Sequence, residues 1–199
     1  MLCLHESQNF VAKLKDHLLA RIFNRQYDTE QPTFTGKDRS KLYISEDRLD
    51  QRYTMKIYYT TYDLRRGKET VNMKNRSHIM TLSQDGEHPY AYAQVLGMFK
   101  LDVLHGPTMA DEVRMDVLWV RWFEIDKSYR AGWKAKRLYR LKYVPPLDNG
   151  AFGFLDPDDI IRGSHVIPGF SLGHRCHSTV NPASAWDPKN DWEAYYVNQ

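Results

Sequence analysis

The segment VLWVRWF, Val117 to Phe123, constrains this chain more than any other. In a strand, successive side chains point to opposite faces. Val117, Trp119 and Phe123 then fall on one side, and Leu118, Val120 and Trp122 on the other. A strand that is apolar on both faces has to be covered on both, which predicts a central position in a sheet. The segment belongs to a tract from His88 to Phe170 made of three blocks: HPYAYAQVLGMFKLDV, VRMDVLWVRWFEID and AFGFLDPDDIIRGSHVIPGF. The first two are rich in aromatic and β-branched residues and predict strands. Gly97, inside the long 90–103 strand, predicts a bulge or a sharp bend. The third block contains Asp156-Pro157-Asp158-Asp159, a helix-start signal with Asp156 as cap and Pro157 at the first helical position. An apolar strand at residues 165–167 follows.

The flanks are simpler. Residues 7–23 predict an amphipathic helix, with Val11, Leu14, Leu18 and Ile22 at spacings of three and four on one face. Residues 24–41 are polar, with Pro32 and Gly36, and predict a linker or surface loop. Tyr53, Met55, Ile57 and Tyr59 alternate with polar or smaller residues, a strand with one more apolar face. Residues 63–89 are charged and broken by Gly67, Gly86 and Pro89, which predicts a long excursion with a short apolar piece at 79–82. Residues 137–144 alternate again until Pro145-Pro146 stops them, and residues 192–197 predict a last apolar segment that docks.

The chain's 199 residues suffice for one domain whose core needs neither disulfide nor metal. Two cysteines, Cys3 and Cys176, make no disulfide framework and point to a reducing compartment. The apolar run 117–120 ends at Arg121, far short of the ~20 residues a membrane helix needs. The start, MLCLHESQNF, lacks the basic and apolar regions of a signal peptide. These features predict an intracellular protein that does not enter a membrane.

A net charge of +3 sets no strong global field, but charge is unevenly placed. Residues 127–142 hold seven basic residues and no acid: Lys127, Arg130, Lys134, Lys136, Arg137, Arg140 and Lys142. If extended structure runs through them, Lys134, Lys136, Arg140 and Lys142 share one strand face, at roughly 6.5–7 Å steps close to the phosphate spacing of one DNA strand. Trp133 and Tyr139 interleave as candidate stacking groups. Arg65, Arg66, Lys68, Lys74 and Arg76 form a second basic patch. The plain alternative for both is a solvated face.

Signals for catalysis are weak. Capping chemistry accounts for Asp156, Asp158 and Asp159 without a metal. His174-Arg175-Cys176-His177 crowds three zinc-ligand types into four positions and has no second pair nearby, so no metal site and no cofactor are expected. The chain has no P-loop, GxSxG, HExxH or CxxC motif.

Taken together, FVAKLKDHLLARI, YYTTYDLRR, HPYAYAQVLGMF, VLWVRWFEID, AFGFLDPDDIIRGSHVIPGF and DWEAYYVN resemble the C-terminal region of Plavaka-type transposases, fungal transposons related to the CACTA class. The resemblance runs from about Asn9 to the end. It implies a mobile-element origin, a nuclear setting, and a catalytic core upstream of anything in this chain. It therefore implies a truncated or standalone descendant that is not itself an enzyme.

A second resemblance is to the bromo-adjacent homology (BAH) domain, a chromatin-binding β barrel. It rests on the order YAYAQVLGMF, VLWVRWFEID, a basic strand, then DPDDIIRGSHVIP. It implies an aromatic cage for methylated lysine near Trp122 and Phe123, although Glu124 stands where a further aromatic is expected. Tyr90 and Tyr92 are further candidates, with core filling as the alternative for all these rings.

The resulting expectation is a mainly β fold: a small SH3-like or BAH-like barrel at 43–172, an N-terminal helix and linker at 1–42, and a C-terminal tail at 173–199 packed on the barrel. The expected function is a non-catalytic interaction module binding a chromatin protein or histone peptide. The alternative is a DNA-binding module using Lys134, Lys136, Arg137, Arg140 and Lys142 with Arg65 and Arg66.

Overall fold

A computed structural model describes residues 4–23, 34–61, 63–83, 88–106, 112–175 and 191–198. The fold is mainly β and antiparallel, organised around two long strands, β6 (Tyr90–His105) and β7 (Glu112–Ile125), paired along most of their length. β5 (His78–Leu82) flanks the first half of β6; β1 (Leu42–Ile44) and β2 (Asp50–Arg52) flank its second half. On the far side of β7 lie β9 (Phe152–Leu155) and then β8 (Tyr139–Tyr143). β12 (Tyr195–Asn198) pairs with both β8 and β11 (His165–Pro168), and β10 (Ile160–Gly163) pairs with β5. The sheet is thus ordered β10-β5-β6-β7-β8-β12-β11.

The expectation of a closed barrel is corrected here. β10 and β11 stand at opposite ends of the strand order, with no ladder between them, so the sheet stays open. The two edges are instead joined by the chain itself, because one residue, Ser164, separates β10 from β11. A second correction concerns residues 63–89. Their first part forms β4 (Arg66–Asn72), which pairs residue for residue with β3 (Thr54–Thr60) in a separate two-stranded sheet. β4 did not stand out because it is nearly all polar. It buries Val71, and Glu69 pins it to β10 by accepting from the Gly163 amide at 2.9 Å and pairing with Arg162 at 3.1 Å.

β7 is covered on both faces, as its composition requires. Val117 and Trp119 pack beneath α1 (Leu4–Ile22) with Phe10, Leu14, Leu18 and Leu19. Leu118 and Val120 face the β3–β4 hairpin through Ile57 and Val71. Phe123 joins a third cluster with Tyr92, Leu141, Tyr143, Tyr195 and Val197. The α1 face differs by one position from the expected one: Val11 is 51% exposed and Phe10 is the buried residue. Lys13 and Lys15 tie the helix down by donating to the carbonyls of Phe152 and Leu42, and Arg21 pairs with Asp156 at 2.7 Å.

Gly97 does mark a bulge: β6 shifts register against β7 between Val95 and Gly97. The extra residue changes the phase of β6, so Val95 and Met98 share one core while Leu101 and Val103 face the other. A Cβ at residue 97 would lie 2.6 Å from the Phe99 ring, which lies across the glycine. The Asp156 cap is also present, its carboxylate accepting the Asp158 amide in a short 3₁₀ turn.

Arg121, set in the middle of β7, is wholly buried, as is its partner Asp191, 3.2 Å away on the stretch leading into β12. The guanidinium lies 3.7 Å above the Tyr143 ring, and the Tyr195 hydroxyl donates to Asp191. Burial lowers the Arg121 pKa, an effect opposed by Asp191, Tyr143 and Tyr195.

Two stability predictions follow from these interiors. Asp191→Ala strands a buried cation and should cost about 3–5 kcal/mol in chemical denaturation, while Arg121→Met with Asp191→Leu should recover most of that loss. His17 is buried on α1, and desolvation, assisted by Arg21, lowers its pKa to about 3. The unfolded chain therefore protonates first, and the stability this neutral ring contributes, complete above its ordinary value of ~6.5, fades as pH falls toward 3. Urea titrations at pH 7 and 5 should show a loss of about 2 kcal/mol from this group, absent in His17→Leu.

Candidate nucleic-acid interface

Extended structure does not run through the basic segment. Residues Trp133–Ala135 form a 3₁₀ turn, Lys136 is left-handed at φ 50°, and the strand β8 begins only at Tyr139. Lys134 and Lys136 therefore do not share a strand face with Arg140 and Lys142, which corrects the register expected from alternation. Six of the seven cations, all but Lys127, instead divide into two groups with different roles.

The first group closes the base of the β7–β8 connection. Asp126, at the end of β7, is buried; its Oδ2 accepts from Arg140 at 2.8 Å and pairs with Lys142 at 3.1 Å. Its Oδ1 accepts the Ser128 amide and hydroxyl. Burial alone would raise this carboxyl, but the hydrogen bonds from Ser128, Lys142 and Arg140 outweigh it and hold the group well below the usual carboxylate range. Arg140 also lies 4.3 Å over the Tyr129 ring. These two cations are committed to holding the loop.

The second group is displayed. Arg130, Lys134, Lys136 and Arg137 are exposed, and three of them, with Ala135, line an open concavity of about 410 Å³. Between them stands Trp133, 96% exposed. The loop that carries it is ordered by its own backbone. The Gly132 amide donates to the Arg137 carbonyl at 2.9 Å, the Ala135 amide to Gly132 at 3.0 Å, and the Lys136 amide to Trp133 at 3.1 Å. Gly132 is required twice over: its φ is 91°, and a Cβ there would lie 2.8 Å from the Tyr139 hydroxyl.

The second basic patch lies on the β3–β4 hairpin. Arg65 pairs with Asp63 at 3.0 Å near the turn, and Arg66 and Lys68 are exposed on β4.

Three of the four aromatic candidates come together, but as core packing, and Trp122 lies apart from them. Tyr92 and Phe123 are 1% and 8% exposed and fill the third core cluster. Tyr90 packs against that same cluster and is partly exposed. Trp122 lies on the opposite face of β7, opposite Ala93, and packs against the cluster under the β3–β4 hairpin. The space beside Tyr90 and Tyr92 is taken by the ring of His88, 6.0 Å from each and 4.5 Å from Tyr139.

Among the described residues, no group of three His, Cys, Asp or Glu side chains is placed to hold a metal ion. In the 174–177 run, His174 stacks on Trp192 at 3.8 Å, while Cys176 and His177 lie outside the described residues. No helix among the described residues is long and apolar enough to cross a membrane. Comparison with protein-family models, curated proteins and solved structures finds no match to this chain.

The loop's dependence on Asp126 can be measured. Asp126→Ala should leave Arg140 and Lys142 without their shared acceptor, speed amide hydrogen exchange across residues 127–138 by roughly tenfold or more, and lower stability by about 1–3 kcal/mol.

Proposed function

We propose that this protein is a non-catalytic interaction module whose ligand is nucleic acid, bound through the β7–β8 loop. The observation that carries this reading is the separation of the cations. Arg140 and Lys142 are held by Asp126, whereas Arg130, Lys134 and Arg137 face solvent around one concavity, Lys136 is exposed beside them in sequence, and the segment has no acid. Clustered cations with no ion pair among the described residues are suited to phosphates, which supply the sequence-independent part of nucleic-acid affinity.

The reading belongs with a wider proposal: that the chain descends from the C-terminal region of a Plavaka-type transposase and works in the nucleus. Contact with nucleic acid fits that origin. The alternative partner, a chromatin protein or histone peptide held in a BAH-like aromatic cage, is less favoured. That cage would draw on Trp122 and Phe123, which lie on opposite faces of β7, one of them buried in the core.

Fluorescence anisotropy with labelled DNA tests the reading. Four phosphate contacts predict a loss of affinity of about 150-fold between 50 and 200 mM salt. The combined Arg130→Glu, Lys134→Glu, Lys136→Glu and Arg137→Glu chain should lose binding altogether, while Arg65→Glu with Arg66→Glu should change it far less. No binding at either salt, or unchanged binding by the fourfold variant, would sink the proposal.

A further inference from the structure

The Trp133 side chain takes no part in the core of the described residues. It is 96% exposed, makes no ring contact among the described residues, and belongs to none of the three core clusters. Four other tryptophans are in the chain, and the two on β7 lie in or against the core. An indole held wholly in water is a poor use of a large apolar ring unless something covers it.

Its surroundings say what kind of surface would. Trp133 sits at the head of a 3₁₀ turn with Lys134 next to it, Arg130 and Arg137 lining the adjoining concavity, and no acidic residue from 127 to 142. A partner for this site has to bring negative charge and a flat π surface together at the spacing of one side chain. Unpaired nucleotides do so: each carries a phosphate for the concavity and a base face for the indole. A duplex offers the phosphates but not the faces, because its bases are already stacked on one another. The backbone hydrogen bonds across Gly132, Ala135, Lys136 and Arg137 fix the main chain that carries the ring before any ligand arrives.

We infer that Trp133 is a base-stacking platform and that the loop selects single-stranded over double-stranded nucleic acid. This inference rests on the nucleic-acid reading above and adds a preference that the reading does not require.

The test compares a labelled single strand of roughly 20 nucleotides, longer than the ~4–16 that one such surface covers, with its own duplex at fixed low salt. The variants are Trp133→Ala, Trp133→Phe and the fourfold charge reversal. The intact protein should bind the single strand several-fold more tightly than the duplex. Trp133→Ala should weaken single-strand binding by about 5- to 150-fold, the range of one lost stacking contact, and change duplex binding by less than about twofold. Trp133→Phe should keep much of the preference. Trp133 is fully exposed, so the variants should fold as the parent does, which their thermal unfolding checks. If both ligands bind and Trp133→Ala weakens them equally or not at all, or if the duplex binds more tightly, the stacking inference is overturned while the phosphate reading stands. If neither ligand binds, both fall together.

Discussion

The two-sided apolar character of β7 governs the placement of nearly everything else. A strand with Val117 and Trp119 on one face and Leu118 and Val120 on the other cannot lie at a surface, and its two faces are covered by elements of different kinds. One is covered by α1, whose three basic side chains reach backbone carbonyls and Asp156 at its rim. The other is covered by the β3–β4 hairpin, which is not in the main sheet and is held by Ile57, Val71 and the Glu69 contacts to β10. The third cover is the last strand, β12, which brings Tyr195 and Val197 beside Phe123. Arg121 interrupts this apolar pattern at the one point where two clusters meet, and its charge is met by Asp191. A buried pair of this kind adds little net stability over an apolar pair, but it disfavours any docking of the C-terminal segment that leaves a charge unmet.

Several of these features were legible in the residues. Alternation located β3 and β8, a run apolar on both faces located β7, the glycine at 97 marked the bulge, and Asp156-Pro157 marked a capped turn. These are local signals: each depends on a period or on a backbone geometry that few residues tolerate. What was not legible depended on contacts distant in sequence. β4 reads as a polar excursion because most of its side chains face solvent and its registration comes from β3 and β10. Arg121 reads as the end of an apolar run, since nothing in its neighbourhood announces Asp191, seventy positions later. Val11 fits the helical spacing as well as Phe10 does; which of them is buried depends on the shape of the ring cluster around Trp119 and Phe154.

The basic segment is the instructive case for the site. Charge density was visible in the composition, with Trp133 and Tyr139 interleaved in it as candidate stacking groups. The division of labour among the cations was not, because it depends on a carboxylate that lies just before the segment. Asp126 closes the loop at its base by taking Arg140 and Lys142, two of the four residues that alternation had placed on the phosphate-facing side. The turn at Gly132 then reverses the chain before a strand can extend through Lys134 and Lys136. The aromatic candidates show the converse limit. Alternation states which rings share a face of one strand, but not whether that face is core, and Tyr92 and Phe123 lie where a small β protein most needs bulk.

The same arrangement bears on how a small surface could bind well. Side chains on a mobile loop lose rotational and backbone freedom when a ligand arrives, and that loss subtracts from the affinity. Here much of the ordering is done in the fold: the Asp126 hydrogen bonds close the base, and the Gly132–Arg137 bridge closes the tip. The cations that remain need only settle their own side chains. A loop stiffened at both ends, carrying its charge between, can therefore fix the spacing of the backbone positions that carry a ring and a set of positive charges. Fixed spacing is what would let it distinguish among polyanions that an unstructured basic tail would bind alike.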